Sequence, residues 1–136
     1  KLGLAHHVLQ VSPNNVDEIR QLTGGHGVER AVDASGNARA RLTAIQATRK
    51  WGKIVFIGEG GTVDFQPSRD MIHDQKTLYG SWVTSTWKMD ELVEKLVRWK
   101  IHPEDLVTHK FKLDEADQAY ALMAEGKCGK VAVVFD

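Results

Sequence analysis

Apolar positions along this chain fall into two alternating rhythms. Residues 8–11 (VLQV) form a short apolar run that stops at Ser12-Pro13-Asn14. Such a cluster ends a strand and opens a helix. Val16, Ile19 and Leu22 then carry a short helical pattern that Gly24-Gly25 stops. Residues 28–33 (VERAVD) predict a strand running into Ala34-Ser35-Gly36. Ala38, Leu42 and Ile45 share one helical face, and Gly52 is the expected end of that helix. KIVFI at 53–57 is a strongly apolar strand that stops at Gly58. Met71 to Gln75 reads as a helical turn, and residues 77–83 (TLYGSWV) as a further strand.

The second half continues the alternation. Met89, Leu92, Val93, Leu96 and Val97 sit at i, i+3, i+4, i+7 and i+8, the clearest amphipathic helix in the chain, with Pro103 beyond its end. Residues 107–111 are extended, Ala116, Ala119, Tyr120 and Met123 mark a last helix stopped by Gly126, and residues 130–135 (KVAVVF) close as a strand. Near-continuous apolar strands alternating with helices indicate an α/β fold whose parallel sheet is covered on both faces.

Composition narrows the possibilities. The 136 residues suit one domain, and 42% are hydrophobic. Acidic and basic residues balance at 18 each, which gives no electrostatic reason to expect nucleic acid or an anionic membrane as partner. No apolar run approaches the roughly 20 residues of a membrane span. The lone Cys128 excludes a disulfide framework within one chain and makes a cytoplasmic home the default.

Open parallel sheets bind ligands beyond the carboxyl ends of their strands. Three of the predicted strands end in small residues: Ala34-Ser35-Gly36, Ile57-Gly58 and Gly80-Ser81. Singly, each glycine reads as a tight turn; three in corresponding places point to a ligand edge. The six histidines show no HxxxH or HExxH spacing and Cys128 has no CxxC partner, so no metal site is expected from this chain. Asp33 is read as a turn carboxylate rather than a ribose ligand. Lys130, at the start of the last strand, is either a phosphate partner or an ordinary solvated lysine. Of the four tryptophans, only Trp82 stands at a strand end.

Several segments together resemble one family. Residues 31–36 (AVDASG) and 52–58 (GKIVFIG) are similar to the fourth and fifth coenzyme-domain strands of zinc-type (medium-chain) alcohol dehydrogenases, and 78–82 (LYGSW) to the sixth. The tail, with ADQAY at 116–120 and GKCGKV at 126–131, resembles the same family, as does the opening KLGLA. The likeness covers nearly the whole chain and lies nearest the polyol and threonine dehydrogenase-like branch.

The resemblance implies a C-terminal part of a longer dehydrogenase: an incomplete Rossmann-like three-layer sheet that supplies strands 3, 4, 5 and 6 of the order 3-2-1-4-5-6 and lacks strands 1 and 2. On that expectation residues 1–136 are a partial dinucleotide-binding domain. The coenzyme is NAD or NADP, undecided because the ribose-reading residue lies upstream of Lys1 with the GxGxxG loop. Zinc belongs to a catalytic domain that is not in this chain. Ala34, Ser35 and Asn37 match the loop along the adenosine ribose. Ile57, Gly58 and Glu59 match the loop whose backbone meets the nicotinamide. Ser81, Trp82 and Val83 match the segment that binds the carboxamide and borders the substrate, and Lys130 matches a basic residue on the coenzyme phosphate or ribose. No catalytic residue is expected here, and the chain by itself is expected to be inactive and to associate into a homo-oligomer. Two other readings stand beside this one: a non-catalytic Rossmann-like dimerisation or interaction module, and a different Rossmann-like enzyme such as a methyltransferase, against which the order of the motifs argues.

Overall fold

The structure is a computed structural model that describes Gly3 and residues 5–135. These divide into two compact units, residues 5–83 and a second that holds residues 84–135.

The first unit is built on a parallel sheet. Its elements are α1 (Asn15–Leu22), β1 (Val28–Asp33), α2 (Ala38–Ala47), β2 (Thr48–Phe56) and β3 (Thr77–Gly80), with a π-helical turn at Ser68–Ile72. The strand order is β1-β2-β3, all parallel. Register aligns Ala31, Ile54 and Leu78 in one row and Val32, Val55 and Tyr79 in the next. Side chains alternate between faces along a strand, so the two rows face opposite ways. The first row is covered: α2 packs on β1 and β2, α1 packs on α2, and Ile45 and Ile54 are fully buried. The second row is more open, with Val32 62% and Tyr79 45% exposed.

The sequence places the end of α2 at Gly52, but the helix stops at Ala47. Asn37 opens it, its Oδ1 accepting from the Arg39 and Ala40 amides at 2.9 and 3.3 Å. At the other end the Thr48 hydroxyl donates to the Ala44 carbonyl at 2.6 Å, and β2 begins at once. Thr48 pairs with Val28 and Lys53 with Arg30, so five steps of β2 span two steps of β1. The surplus is absorbed in a bulge. There Trp51 takes a left-handed φ of 56°, and a Cβ on Gly52 would lie 2.8 Å from the Arg49 carbonyl.

The strand expected at residues 8–11 does not form. A strand needs a hydrogen-bonded neighbour, and among the described residues no strand pairs with this segment. The segment instead runs as irregular chain anchored by Asn15, whose Nδ2 donates to the Gln10 carbonyl at 2.9 Å and whose Oδ1 accepts from the Ser12 amide at 2.8 Å. Leu9 and Val11 then line a largely apolar groove of about 620 Å³ beside β1, with Ile19, Val28, Ala40 and Ala44. β1 is left as an edge of the sheet.

The third strand also ends early, at Gly80 rather than residue 83. The Ser81 amide still reaches the Phe56 carbonyl at 3.0 Å, after which Val83 turns the chain with φ 40°.

The second unit holds α3 (Thr86–Trp99), β4 (Val107–Phe111), α4 (Ala116–Ala124) and β5 (Lys130–Val133). β4 and β5 pair in parallel, and α4 packs on both with Ala119 buried. Lys100 closes α3 in the left-handed conformation, its amide and that of Ile101 returning to the Val97 and Leu96 carbonyls. Met89, Leu92, Val93 and Val97 on α3 are each about half exposed or more.

Candidate functional site

The carboxyl ends of β1, β2 and β3 lie side by side, because the register pairs Asp33 with Phe56 and Phe56 with Gly80. Asp33 organises this edge. It is 3% exposed, and its Oδ1 accepts from the Ser35 amide at 3.0 Å and the Ser35 hydroxyl at 2.7 Å. Its Oδ2 accepts from the Gly36 amide at 3.1 Å and from Arg41 Nε at 3.2 Å. Burial pushes the Asp33 carboxyl up, but the bonds from Ser35, Gly36 and Arg41 outweigh it and hold the group below the usual carboxylate range. Its acceptors are engaged by the loop at Ser35 and Gly36 and by Arg41 of α2.

The loops after β1 and β2 are pressed together. The Ile57 and Gly58 amides both donate to the Asp33 carbonyl, at 2.9 and 3.0 Å. A Cβ on Gly58 would meet the Gly36 amide nitrogen at 2.2 Å, and one on Gly36, whose φ is +68°, would meet the Glu59 carbonyl at 2.0 Å. Only glycine permits this approach. Arg41 spans the same two loops: Nη2 donates to the Gly58 carbonyl at 2.6 Å and Nη1 to the Gly61 carbonyl at 3.2 Å. Its guanidinium also lies 5.3 Å from the centre of the Phe56 ring.

Of the residues singled out in the sequence, Ala34, Ser35 and Asn37 lie on the loop after β1, Ile57, Gly58 and Glu59 on the loop after β2, and Ser81, Trp82 and Val83 after β3. All nine belong to the first unit, and the fold sets the first two loops in direct contact. Two carry local tasks already: Ser35 bonds Asp33, and Asn37 caps α2. Trp82 and Val83 are 67% and 77% exposed. Lys130 opens β5 in the second unit, and its carbonyl accepts from the Thr108 hydroxyl at 3.5 Å.

Sequence reasoning passed over Arg41. The signal was present: Arg41 stands one helical turn before the fully buried Ile45, so a charge falls on the buried face of α2 and needs a partner. For a metal the donor set is wrong. Among the described residues no three of His, Cys, Asp and Glu gather where they could hold an ion.

The family model for zinc-binding dehydrogenases matches residues 1–98. The chain belongs to the zinc-binding dehydrogenase family. Similar members include YphC of Escherichia coli K12, a zinc-type alcohol dehydrogenase-like protein, 45% identical over 99% of this chain and 38% of that protein. An L-threonine 3-dehydrogenase of Pyrococcus horikoshii is 28% identical over 96% of this chain and 38% of its own length. Among solved structures, an alcohol dehydrogenase of Aeropyrum pernix superposes with a TM-score of 0.80 at 25% identity, over 97% of this chain and 38% of that one. This zinc-binding dehydrogenase chain thus spans under two fifths of the length of those relatives and matches the C-terminal part of the family. The match includes the Rossmann-like α/β fold, with its parallel strands in two small sheets.

Proposed function

We propose that this chain forms one wall of the nicotinamide pocket in an NAD(P)- and zinc-dependent alcohol or polyol dehydrogenase, and is not active alone. The observation that carries the reading is the strand-end edge: three parallel strands finish level, and the loops after two of them pack backbone against backbone through Gly36 and Gly58. Small residues there admit a flat ligand close to peptide groups, where open parallel sheets take their ligands. Residues 1–136 then act as part of a dinucleotide-binding domain.

When bound, the nicotinamide supplies the hydride acceptor. This chain's residues orient it. The backbone of Ile57, Gly58 and Glu59 borders one side of the ring, and Ser81, Trp82 and Val83 border the carboxamide and the substrate. Ala34, Ser35 and Asn37 run along the ribose. Among the described residues no group of side chains fits zinc, and we assign the metal and the chemistry at the alcohol oxygen to other parts of the enzyme. The helix N-terminus that holds the pyrophosphate in this fold is not in the chain, so affinity for NAD or NADP by this chain is weak or absent.

A homo-oligomer fits the same picture. Val32 and Tyr79 on the open row, and the apolar groove along the unpaired edge of β1, expose surface that water disfavours. That edge also favours the second reading, a non-catalytic interaction module. We place the protein in the cytoplasm, in keeping with its single, unpaired Cys128; among the described residues no helix is long and apolar enough to cross a membrane.

Tryptophan emission tests the assignment. Millimolar NADH should quench it chiefly through Trp82, and Trp82→Phe should remove most of the effect. Quenching of equal size in Trp82→Phe contradicts the reading.

A further inference from the structure

Three of the four residues Gly58-Glu59-Gly60-Gly61, in the loop after β2, are glycines. Gly60 and Gly61 both take positive φ, at 81° and 65°. Such a segment loses more conformational freedom on ordering than any other of its length. A single fixed backbone there needs ties from outside the loop.

Arg41 supplies them. Its side chain is 11% exposed and its Asp33 partner 1%. One guanidinium holds three acceptors at once: the Asp33 carboxylate at 3.2 Å, the Gly58 carbonyl at 2.6 Å and the Gly61 carbonyl at 3.2 Å. The first anchors it to the end of β1; the other two grip the loop at both ends. The Phe56 ring lies beside it, 5.3 Å from the guanidinium carbon to the ring centre. The planar five-donor fork of arginine suits this task, and a lysine ammonium, a point charge, cannot span the same set.

We infer that Arg41 is a positioning residue: it fixes residues 58–61 in the one conformation that meets the coenzyme, without touching the coenzyme itself. The inference rests on the reading that Ile57, Gly58 and Glu59 border the nicotinamide. In physical terms the bridge removes loop conformations before binding, so that binding does not have to remove them.

Amide hydrogen exchange on the 136-residue chain, with nicotinamide mononucleotide at millimolar concentration as the probe, separates the two claims. In Arg41→Lys the charge beside Asp33 remains but the grip on both carbonyls is lost. Exchange at Ile57 and Gly58, whose amides donate to the Asp33 carbonyl, should then rise about ten-fold, with the protection inside β1 and β2 unchanged. The mononucleotide should bind about ten-fold more weakly, at an unchanged melting temperature. Arg41→Met should loosen the loop as much and lower the melting temperature too, because Asp33 loses its countercharge. If Arg41→Lys leaves the loop's exchange unchanged, or speeds exchange equally through β1 and β2, the positioning role is wrong. If the loop loosens but the probe binds as before, the coenzyme half of the inference is wrong. A probe that moves none of the wild-type resonances at 57–59 overturns the nicotinamide reading itself, before any variant is compared.

Discussion

Arg41 Nε lies 3.2 Å from Asp33 Oδ2, across eight residues of sequence and between two nearly buried side chains. The pair joins the end of β1 to the first turns of α2, and through Arg41 to the loop after β2. Removing one member leaves the other without its countercharge. Asp33→Ala should therefore lower stability by about 3 kcal/mol, since breaking a buried ion pair strands a charge. Urea unfolding followed by circular dichroism measures it, and a loss below about 1 kcal/mol would show that the pair is effectively solvated.

Close backbone packing makes a second prediction, with an internal control. A Cβ at position 58 would sit 2.2 Å from the Gly36 nitrogen, whereas one at position 80 meets nothing within 4 Å. Gly58→Ala should cost about 1–3 kcal/mol by forcing the two loops apart. Gly80→Ala, on the neighbouring strand end, should change stability by no more than about 0.5 kcal/mol. Equal effects of the two substitutions in thermal melts would mean that the loops are not in contact.

Acid should weaken the first unit in a defined window. Arg69 Nε lies 2.8 Å from Asp70 Oδ1; that bond holds the Asp70 carboxyl down against the upward push of burial, and the Gln66 amide, the Arg69 charge and Gln46 assist, bringing it to about 2 from an ordinary 3.8. The Asp33 carboxyl is shifted in the same direction. A pKa lower in the folded state contributes stability that is complete above the unfolded value and disappears as pH falls through the folded one. The unfolding midpoint should thus drop between pH 3.8 and about 2, and Asp70→Asn should flatten part of that drop. A wild-type midpoint constant over this range would contradict the network.

The bare edge of β1 predicts association. Sedimentation of the isolated chain should show dimers or larger species, and Val32→Lys, at a position 62% exposed, should shift the population toward monomer without unfolding it. A strictly monomeric wild type at micromolar concentration would remove the homo-oligomer from the account.

These properties were unequally legible in the sequence. The helix carrying Met89, Leu92 and Val97 follows from its long apolar periodicity, and the apolar run at 53–57 marks only the second half of β2, which begins at Thr48 and stops at Phe56. The end of α2 is not legible in the sequence, because Thr48 stops the helix with a hydroxyl bond to Ala44, four residues before the glycine that the pattern suggests. The run at 8–11 has the composition of a strand, but strand formation is a property of pairs, and among the described residues no strand pairs with it. The strand-end loops were found through their small residues. The ion pair that fixes them was not, because Asp33 and Arg41 become neighbours only once α2 folds back over β1.

Calorimetry of the isolated chain should detect no micromolar affinity for NAD or NADP, since the fold's pyrophosphate anchor is not in the chain. Micromolar binding would show a complete coenzyme site within these residues.

The most direct test is residue-resolved chemical-shift mapping of the chain with NAD at tens of millimolar, a concentration that populates even weak contacts. The account predicts the largest shifts at the backbone amides of Ser35, Gly58, Glu59, Ser81, Trp82 and Val83. Shifts absent from all three strand-end loops, or concentrated in the groove along β1, would contradict a nicotinamide wall at this edge.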